Sequence, residues 1–205
     1  MSISMLRLVS LSASLCASLS LVGCATEDSG EPITTQESAM ASSAVEGMVM
    51  AMAPASGGNV VTIAAAYRAS FGTGGLSCAT VATDDLSYVT VTFACQGLLA
   101  TSGTLRVELE SPTQLKATAD LTIGELSIDG SALLNVPVNP SAERTLEAEL
   151  SIDGPRRTLT AEAEASWTAN GSCVTYSSSG SVEAEGPRGS ASGSFEVNAR
   201  TVCRP

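Results

Sequence analysis

The chain has 205 residues, no histidine and a formal net charge of −11. This length is that of one domain, and the missing histidine removes the commonest general base and the commonest metal ligand. An acidic surface repels phosphate backbones, which argues against nucleic-acid binding, and an aromatic content of 3% argues against stacking platforms for bases or sugars.

Residues 1–23 have the parts of an export signal. Arg7 is the only charge in this segment, and an apolar run follows it. The run is shorter than the roughly 20 apolar residues that a membrane-spanning helix needs. It ends in Leu21-Val22-Gly23-Cys24, which closely resembles the lipobox of bacterial lipoproteins.

The resemblance implies a defined chemistry at Cys24. The thiol would receive a diacylglycerol by thioether linkage, the peptide bond after Gly23 would be cut, and the new amine would be acylated. Two or three acyl chains anchor a protein stably, whereas one chain binds only marginally. The alternatives are an ordinary secreted protein with a chance cysteine, or a retained membrane helix.

The same resemblance bears on location and partners. Ala25 follows the lipid site, and in lipoproteins of enteric-type bacteria this residue permits transfer to the outer membrane. We therefore expect a cell-envelope protein on the outer rather than the inner membrane. Its expected partner is the lipid bilayer, through acylated Cys24. A protein partner is not identified, and no cofactor is expected.

Residues 24–33 are small, acidic and interrupted by Gly30 and Pro32. This composition is typical of a flexible segment that cannot bury enough apolar surface to fold. We predict a lipidated acidic tether here.

Residues 34–57 are predicted to form an amphipathic helix and a linker. Thr34 and Glu37 have the spacing of a capping box, and Pro54 ends the helical pattern. Apolar side chains recur at every fourth position: Met40, Ala44, Met48 and Met52. The stripe could be an adaptable ligand-binding face, but packing onto the following sheet is the favoured interpretation.

Residues 58–205 are predicted to form an antiparallel β-domain of roughly eight to ten strands. Apolar and polar residues alternate, which is the period of a half-buried strand. The apolar positions are Val61, Ile63, Ala65 and Tyr67; Val89, Val91, Phe93 and Cys95; Leu105, Val107 and Leu109; Leu115 to Ile123; Leu126 and Ile128; Leu159, Ala161, Ala163, Ala165 and Trp167; Tyr176 and Val182; and Phe195, Val197 and Ala199. We expect a mainly β meander with one N-terminal helix, as a curved sheet, a sandwich or a small soluble barrel.

Turn signals separate these strands. Asn170-Gly171 and Gly186-Pro187 predict tight turns, and a change of phase at Gly124-Glu125 predicts a bulge or a bend. The segment 125–130, Glu-Leu-Ser-Ile-Asp-Gly, recurs at 149–154. We interpret each copy as a strand end that runs into an Asp-Gly turn, in a chain that grew by hairpin duplication.

Four cysteines remain when Cys16, in the signal, and Cys24, the lipid site, are set aside. An even number in an exported chain predicts two disulfides, for which three pairings are possible. The local pairing closes loops of hairpin size and is favoured: Cys78 with Cys95 and Cys173 with Cys203. A four-thiolate metal site is the rival, but no Cys-x-x-Cys spacing supports it.

Three pairs of glutamates two residues apart each share one face of a strand: Glu147 and Glu149, Glu162 and Glu164, and Glu183 and Glu185. We expect the second and third pairs to lie near each other on neighbouring strands. Such carboxylates could bind a divalent cation or share a proton. The favoured interpretation is a solvated outer face whose like charges deter aggregation.

The remaining candidates for chemistry are weak. Asp129 and Asp153 are interpreted as turn residues, with a calcium role as the minor alternative. Lys116 is the only lysine and has no Ser-x-x-Lys spacing, since Ser111 lies five residues before it. The segment 72–75 lacks the ending of a phosphate-binding loop.

The sequence therefore predicts a non-enzymatic binding or structural β-domain held at the cell envelope. The first alternative is a carrier of a small apolar ligand or lipid, in a cavity between helix and sheet. The second is a hydrolase or metal-binding protein that uses the paired glutamates.

Overall fold

The structure of the protein, a computed structural model, describes residues 32–71, 78–84, 87–96, 100–139, 141–154, 156–170, 173–186 and 189–203. Within these ranges, two helices precede nine strands. Their bounds are α1 Thr35–Met52, α2 Val60–Phe71, β1 Ala79–Asp84, β2 Tyr88–Ala94, β3 Thr101–Ser111, β4 Gln114–Ile123, β5 Leu126–Asn135, β6 Arg144–Asp153, β7 Thr158–Asn170, β8 Cys173–Gly186 and β9 Gly189–Cys203.

All nine strands belong to one antiparallel sheet, in the order β1 to β9. Each strand bonds to the next along the chain, so the predicted meander is confirmed. Of the three predicted forms the structure has an open sheet, because β1 and β9 are its edges. One face of the sheet is buried and the other is exposed, since burial alternates along the strands, most regularly in β6 and β7.

Helix α1 packs against the buried face of β5 to β9. The predicted capping box starts it: the Thr34 hydroxyl accepts from the Glu37 amide at 3.2 Å, and the Glu37 carboxylate accepts from the Thr34 amide at 2.8 Å. The predicted apolar stripe is buried in this contact. A row of small residues crosses β5 to β8 in register on the inner face: Ala132, Ala148, Ala163 and Gly180.

The prediction of a strand from Val60 onward is wrong, because this segment is helix α2, which packs on β1 and β2. Asn59 caps the helix, since its side chain accepts from the Thr62 amide at 2.9 Å. Ile63 and Tyr67, both buried, fit a period of two and a helical period equally well. Val61 decides between the two, because it is 60% exposed and therefore does not share their face.

The phase change at Gly124-Glu125 is a two-residue hairpin turn, not a bulge or a bend within one strand. The register pairs Ile123 of β4 with Leu126 of β5. Gly124 has φ +64° at the first central position of the turn, where glycine is favoured in one common hairpin type. The predicted turns at Asn170-Gly171 and Gly186-Pro187 each include one residue that lies outside the described ranges.

The interpretation of both repeat copies as strand ends that run into Asp-Gly turns is wrong for the first copy. One copy begins β5 and the other ends β6, so the two copies pair with each other, for example through Ile128 and Ile152. Asp129 lies within a strand rather than at a turn. Gly130 is required there for another reason, because a Cβ would collide with the Glu149 carbonyl oxygen of the neighbouring strand. Asp153 does lie at a strand end, as predicted.

Candidate functional site

The predicted lipid site lies outside the part of the chain that the structure describes. Cys24, the cleavage residue Gly23 and most of the predicted tether precede Pro32, the first described residue. Between residues 32 and 203, in the ranges given above, no helix is long and apolar enough to cross a bilayer.

The disulfides follow the local pairing favoured by the spacing. Cys78 is bonded to Cys95 beside the β1–β2 hairpin, and Cys173 is bonded to Cys203 at one end of the β8–β9 pair. Neither of these two bridges uses Cys24.

Glu162 and Glu183 lie on neighbouring strands as predicted, but only as diagonal neighbours, and no glutamate of one pair directly faces a glutamate of the other. Glu162 faces Glu149 and Glu164 faces Glu147, whereas Glu183 and Glu185 face threonines. The register of β6 against β7 brings the first and second pairs together as a two-by-two grid. All four side chains of this glutamate grid are exposed.

The glutamate grid lines a shallow concavity of about 710 Å³ on the outer face of the sheet. Ser131, Ser179 and Ser181 contribute to its lining, and Lys116 lies at one side. Among the described residues, no group of three or more carboxylate or thiol side chains is arranged to hold a metal ion. The arrangement has the form of a solvated acidic face.

Changing one glutamate of the grid to lysine is expected to stabilise the protein. Like charges that lie directly opposite on neighbouring strands are destabilising, and opposite charges are favourable. Glu149→Lys should raise the free energy of unfolding by about 0.2–1 kcal/mol at low salt, and the gain should shrink at high salt. Urea unfolding at two salt concentrations measures this. Glu185→Lys is the matched control, since Glu185 faces Thr158 and Ser190; an equal gain there would contradict the pairing.

The inner face carries a polar arrangement that sequence reasoning missed. Four residues with hydrogen-bond donors follow one another across β6, β7, β8 and β9 in register: Arg144, Trp167, Tyr176 and Arg200. We call this set the donor row. It lies where α1 crosses the sheet, and three of its members bind α1.

The donor row holds α1 at two places. The Tyr176 hydroxyl donates to the Glu46 carboxylate at 2.5 Å, and the Arg200 guanidinium lies 2.9 Å from the same oxygen. Arg144 donates to the Ala53 carbonyl oxygen at 2.6 Å, which satisfies a carbonyl that has no helical partner at the C-terminus of α1. Cations are favourable at that end of a helix.

Burial sets the protonation behaviour of the donor row. Burial raises the pKa of the Tyr176 phenol, and its hydrogen bond to Glu46 raises that pKa further. The phenol therefore remains a donor at neutral pH. Burial also lowers the pKa of Arg144, yet arginine stays charged because its usual pKa is so high.

A β-bulge brings Arg200 into the donor row. Tyr176 pairs with Arg200 but Ser178 pairs with Val197, so two residues of β9 face Ser177 alone. Without the extra residue, Arg200 would point to the outer face. Ala199, predicted to line the interior, is exposed in this bulge with φ +46°.

Replacing Ala199 by glycine is expected to stabilise the protein. A left-handed conformation costs an alanine about 1–2 kcal/mol, and glycine adopts it freely. Because glycine also has a larger unfolded-state entropy, the net gain should be about 1 kcal/mol. Chemical denaturation measures this, with Ala169→Gly near the exposed end of β7 as a control that should lose stability. A loss at both positions would show that Ala199 is not strained.

A second buried polar contact lies at the other end of α1. Arg157, in the β6–β7 connection, donates to both Glu37 carboxylate oxygens, at 2.7 and 2.9 Å. It also donates to the Pro32 carbonyl oxygen at 3.2 Å. The Arg157 hydrogen bond lowers the pKa of Glu37 to about 2 despite burial, and the capping Thr34 contributes in the same direction.

Comparisons with known proteins add no relative. No protein-family model, no curated protein and no solved structure matches the chain.

Proposed function

We propose that the protein is a bacterial envelope lipoprotein whose β-domain has a binding or structural, non-enzymatic role. The observation that carries the proposal is Leu21-Val22-Gly23-Cys24 at the end of an apolar run. Seven residues, 25–31, lie between Cys24 and the first described residue, Pro32, so the chain takes eight residue-to-residue steps from one to the other. An extended segment of that length reaches at most about 28 Å, so the lipid would hold the domain close to the bilayer.

The arrangement of α1 supports a role without a large interior ligand. Met48 and Met52, on the predicted stripe, are 1% and 0% exposed because they pack inside the fold. The inner face that a carrier would use is therefore covered by the protein's own helix. Carriage of an apolar ligand would require α1 to leave the donor row.

The outer face supports a surface role better than a catalytic one. The glutamate grid is exposed and lies in an open concavity, whereas acid–base carboxylates usually lie in clefts where burial shifts their pKa. A hydrolase would also need a route to activate water or a nucleophile without histidine.

The test of the proposal is the intact mass of protein purified from the membranes of a producing bacterium. We expect a chain that starts at Cys24 and carries the added mass of two or three acyl chains. Density-gradient separation of the two membranes should place it in the outer membrane. An unmodified chain in the soluble fraction would overturn the proposal, and the β-domain would then belong to a secreted protein.

A further inference from the structure

Two buried polar atoms have no hydrogen-bond partner within the described part of the chain: Trp167 Nε1 and Ser178 Oγ. The residues are 1% and 4% exposed. Both lie on the inner face beneath α1, one in the donor row and the other next to the bulge. Buried groups of this kind nearly always have a partner, so each one requires an explanation.

The sheet register places these two residues near each other. Trp167 of β7 faces Tyr176 of β8, and Ser178 lies two residues further along β8, opposite Ala165. They are therefore diagonal neighbours on the same face. Diagonal positions are separated by roughly 7–8 Å, which an aromatic side chain can reach across.

The chemistry of the two atoms restricts what can lie between them. An indole N–H only donates, whereas a hydroxyl can donate or accept. A common partner must therefore accept from Trp167 and exchange one hydrogen bond with Ser178. The partner must also be small, because both residues are closed off from solvent. Ala165 and Ser178 are the smallest residues of their row, between Leu146 and Val197, which leaves room at this position.

We propose that Trp167 Nε1 and Ser178 Oγ share one buried water molecule between α1 and the β7–β8 pair. Water accepts from the indole and exchanges a hydrogen bond with the hydroxyl, and buried waters in proteins make two to four such bonds. Its binding explains why Trp167 is the one member of the donor row without a bond to α1. The bound water belongs to the fold and does not depend on the lipid anchor.

A crystal structure at a resolution that shows ordered solvent tests the proposal directly. We expect a solvent peak within about 2.7–3.2 Å of both atoms. A direct bond of either atom to another protein group, or no peak at this place, would overturn the proposal.

The single tryptophan of the chain allows a second test in solution. A ¹⁵N-labelled protein shows one indole N–H resonance, which needs no assignment among several tryptophans. Ser178→Ala should shift this resonance, because the water loses one of its two partners. Ser179→Ala, on the outer face, should leave it in place. An indole resonance that does not move in Ser178→Ala would show that the two residues do not share a partner.

Discussion

Replacing Cys24 by serine is expected to abolish membrane attachment. The thioether needs a thiol, so a serine at this position cannot receive the diacylglycerol. Each buried CH₂ contributes about 0.8 kcal/mol to membrane binding, and a stable anchor needs more than one chain. The loss of all the acyl chains should therefore move almost all of the protein from the detergent phase into the aqueous phase. Metabolic labelling with a tagged fatty acid and detergent phase partitioning measure this change.

Cys16→Ser is the matched control for this experiment. Like Cys24, Cys16 lies before the described fold, but it precedes the lipobox. Its replacement should therefore leave the labelling unchanged. The far-ultraviolet spectrum of the purified Cys24→Ser protein should keep the β-domain signal, because Cys24 takes part in neither disulfide. Fatty-acid label on Cys24→Ser, or its absence from the wild type, would refute the anchor.

Replacing Arg157 by alanine is expected to cause a large loss of stability. Arg157 and Glu37 form a two-bond ion pair in which the side chains are only 9% and 10% exposed. Removal of Arg157 leaves the buried Glu37 carboxylate without its counter-charge, and loss of one partner of a buried ion pair costs about 3–5 kcal/mol. This is a large share of the roughly 5–15 kcal/mol by which domains are stable. Urea unfolding at neutral pH measures the loss.

Arg156→Ala is the control, since Arg156 is the exposed neighbour on the same connection. Its free energy of unfolding should change by less than about 0.5 kcal/mol. Similar losses in the two variants would show that the ion pair does not stabilise α1 on the sheet.

The same ion pair predicts how stability depends on pH. The pKa of Glu37 is about 2 in the folded protein, whereas a glutamate without these interactions has a pKa of 4.5. As the pH falls, the unfolded chain binds a proton at Glu37 before the folded protein does. The contribution of Glu37 to the free energy of unfolding is therefore fully present above pH 4.5 and is lost as the pH falls towards 2. The shift corresponds to about 3 kcal/mol. Glu37→Gln should remove this part of the acid sensitivity, and an unchanged acid transition in that variant would contradict the assignment.

Local patterns predicted most of the strands and the start of α1. Alternation identifies a strand when one face is buried and the other solvated, as in Leu159 to Trp167 of β7. The capping box at Thr34 is likewise a local signal, since both of its hydrogen bonds lie within four residues. The same method failed for α2, because Ile63 and Tyr67 satisfy two periods and the Asn59 cap is the signal that distinguishes them.

The glutamate grid and the donor row depend on strand register, which a single sequence specifies only weakly. A slip of two residues between β6 and β7 would keep every face unchanged but would separate Glu149 from Glu162. The bulge at Ala199 has no sequence signature, since alanine does not favour a left-handed backbone. No local pattern could therefore place Arg200 beside Glu46.

The amino-acid sequence by itself determined the expectation of a lipid anchor, the alternating faces of the sheet and the cap of α1, because each depends on residues close together in the chain. Only the tertiary structure decided which glutamates face each other and which donors hold the helix. The contact between Glu46 and Tyr176, for example, joins residues 130 positions apart. Such contacts arise from strand pairing and from the seating of α1 on the sheet, where packing of the whole inner face selects one register.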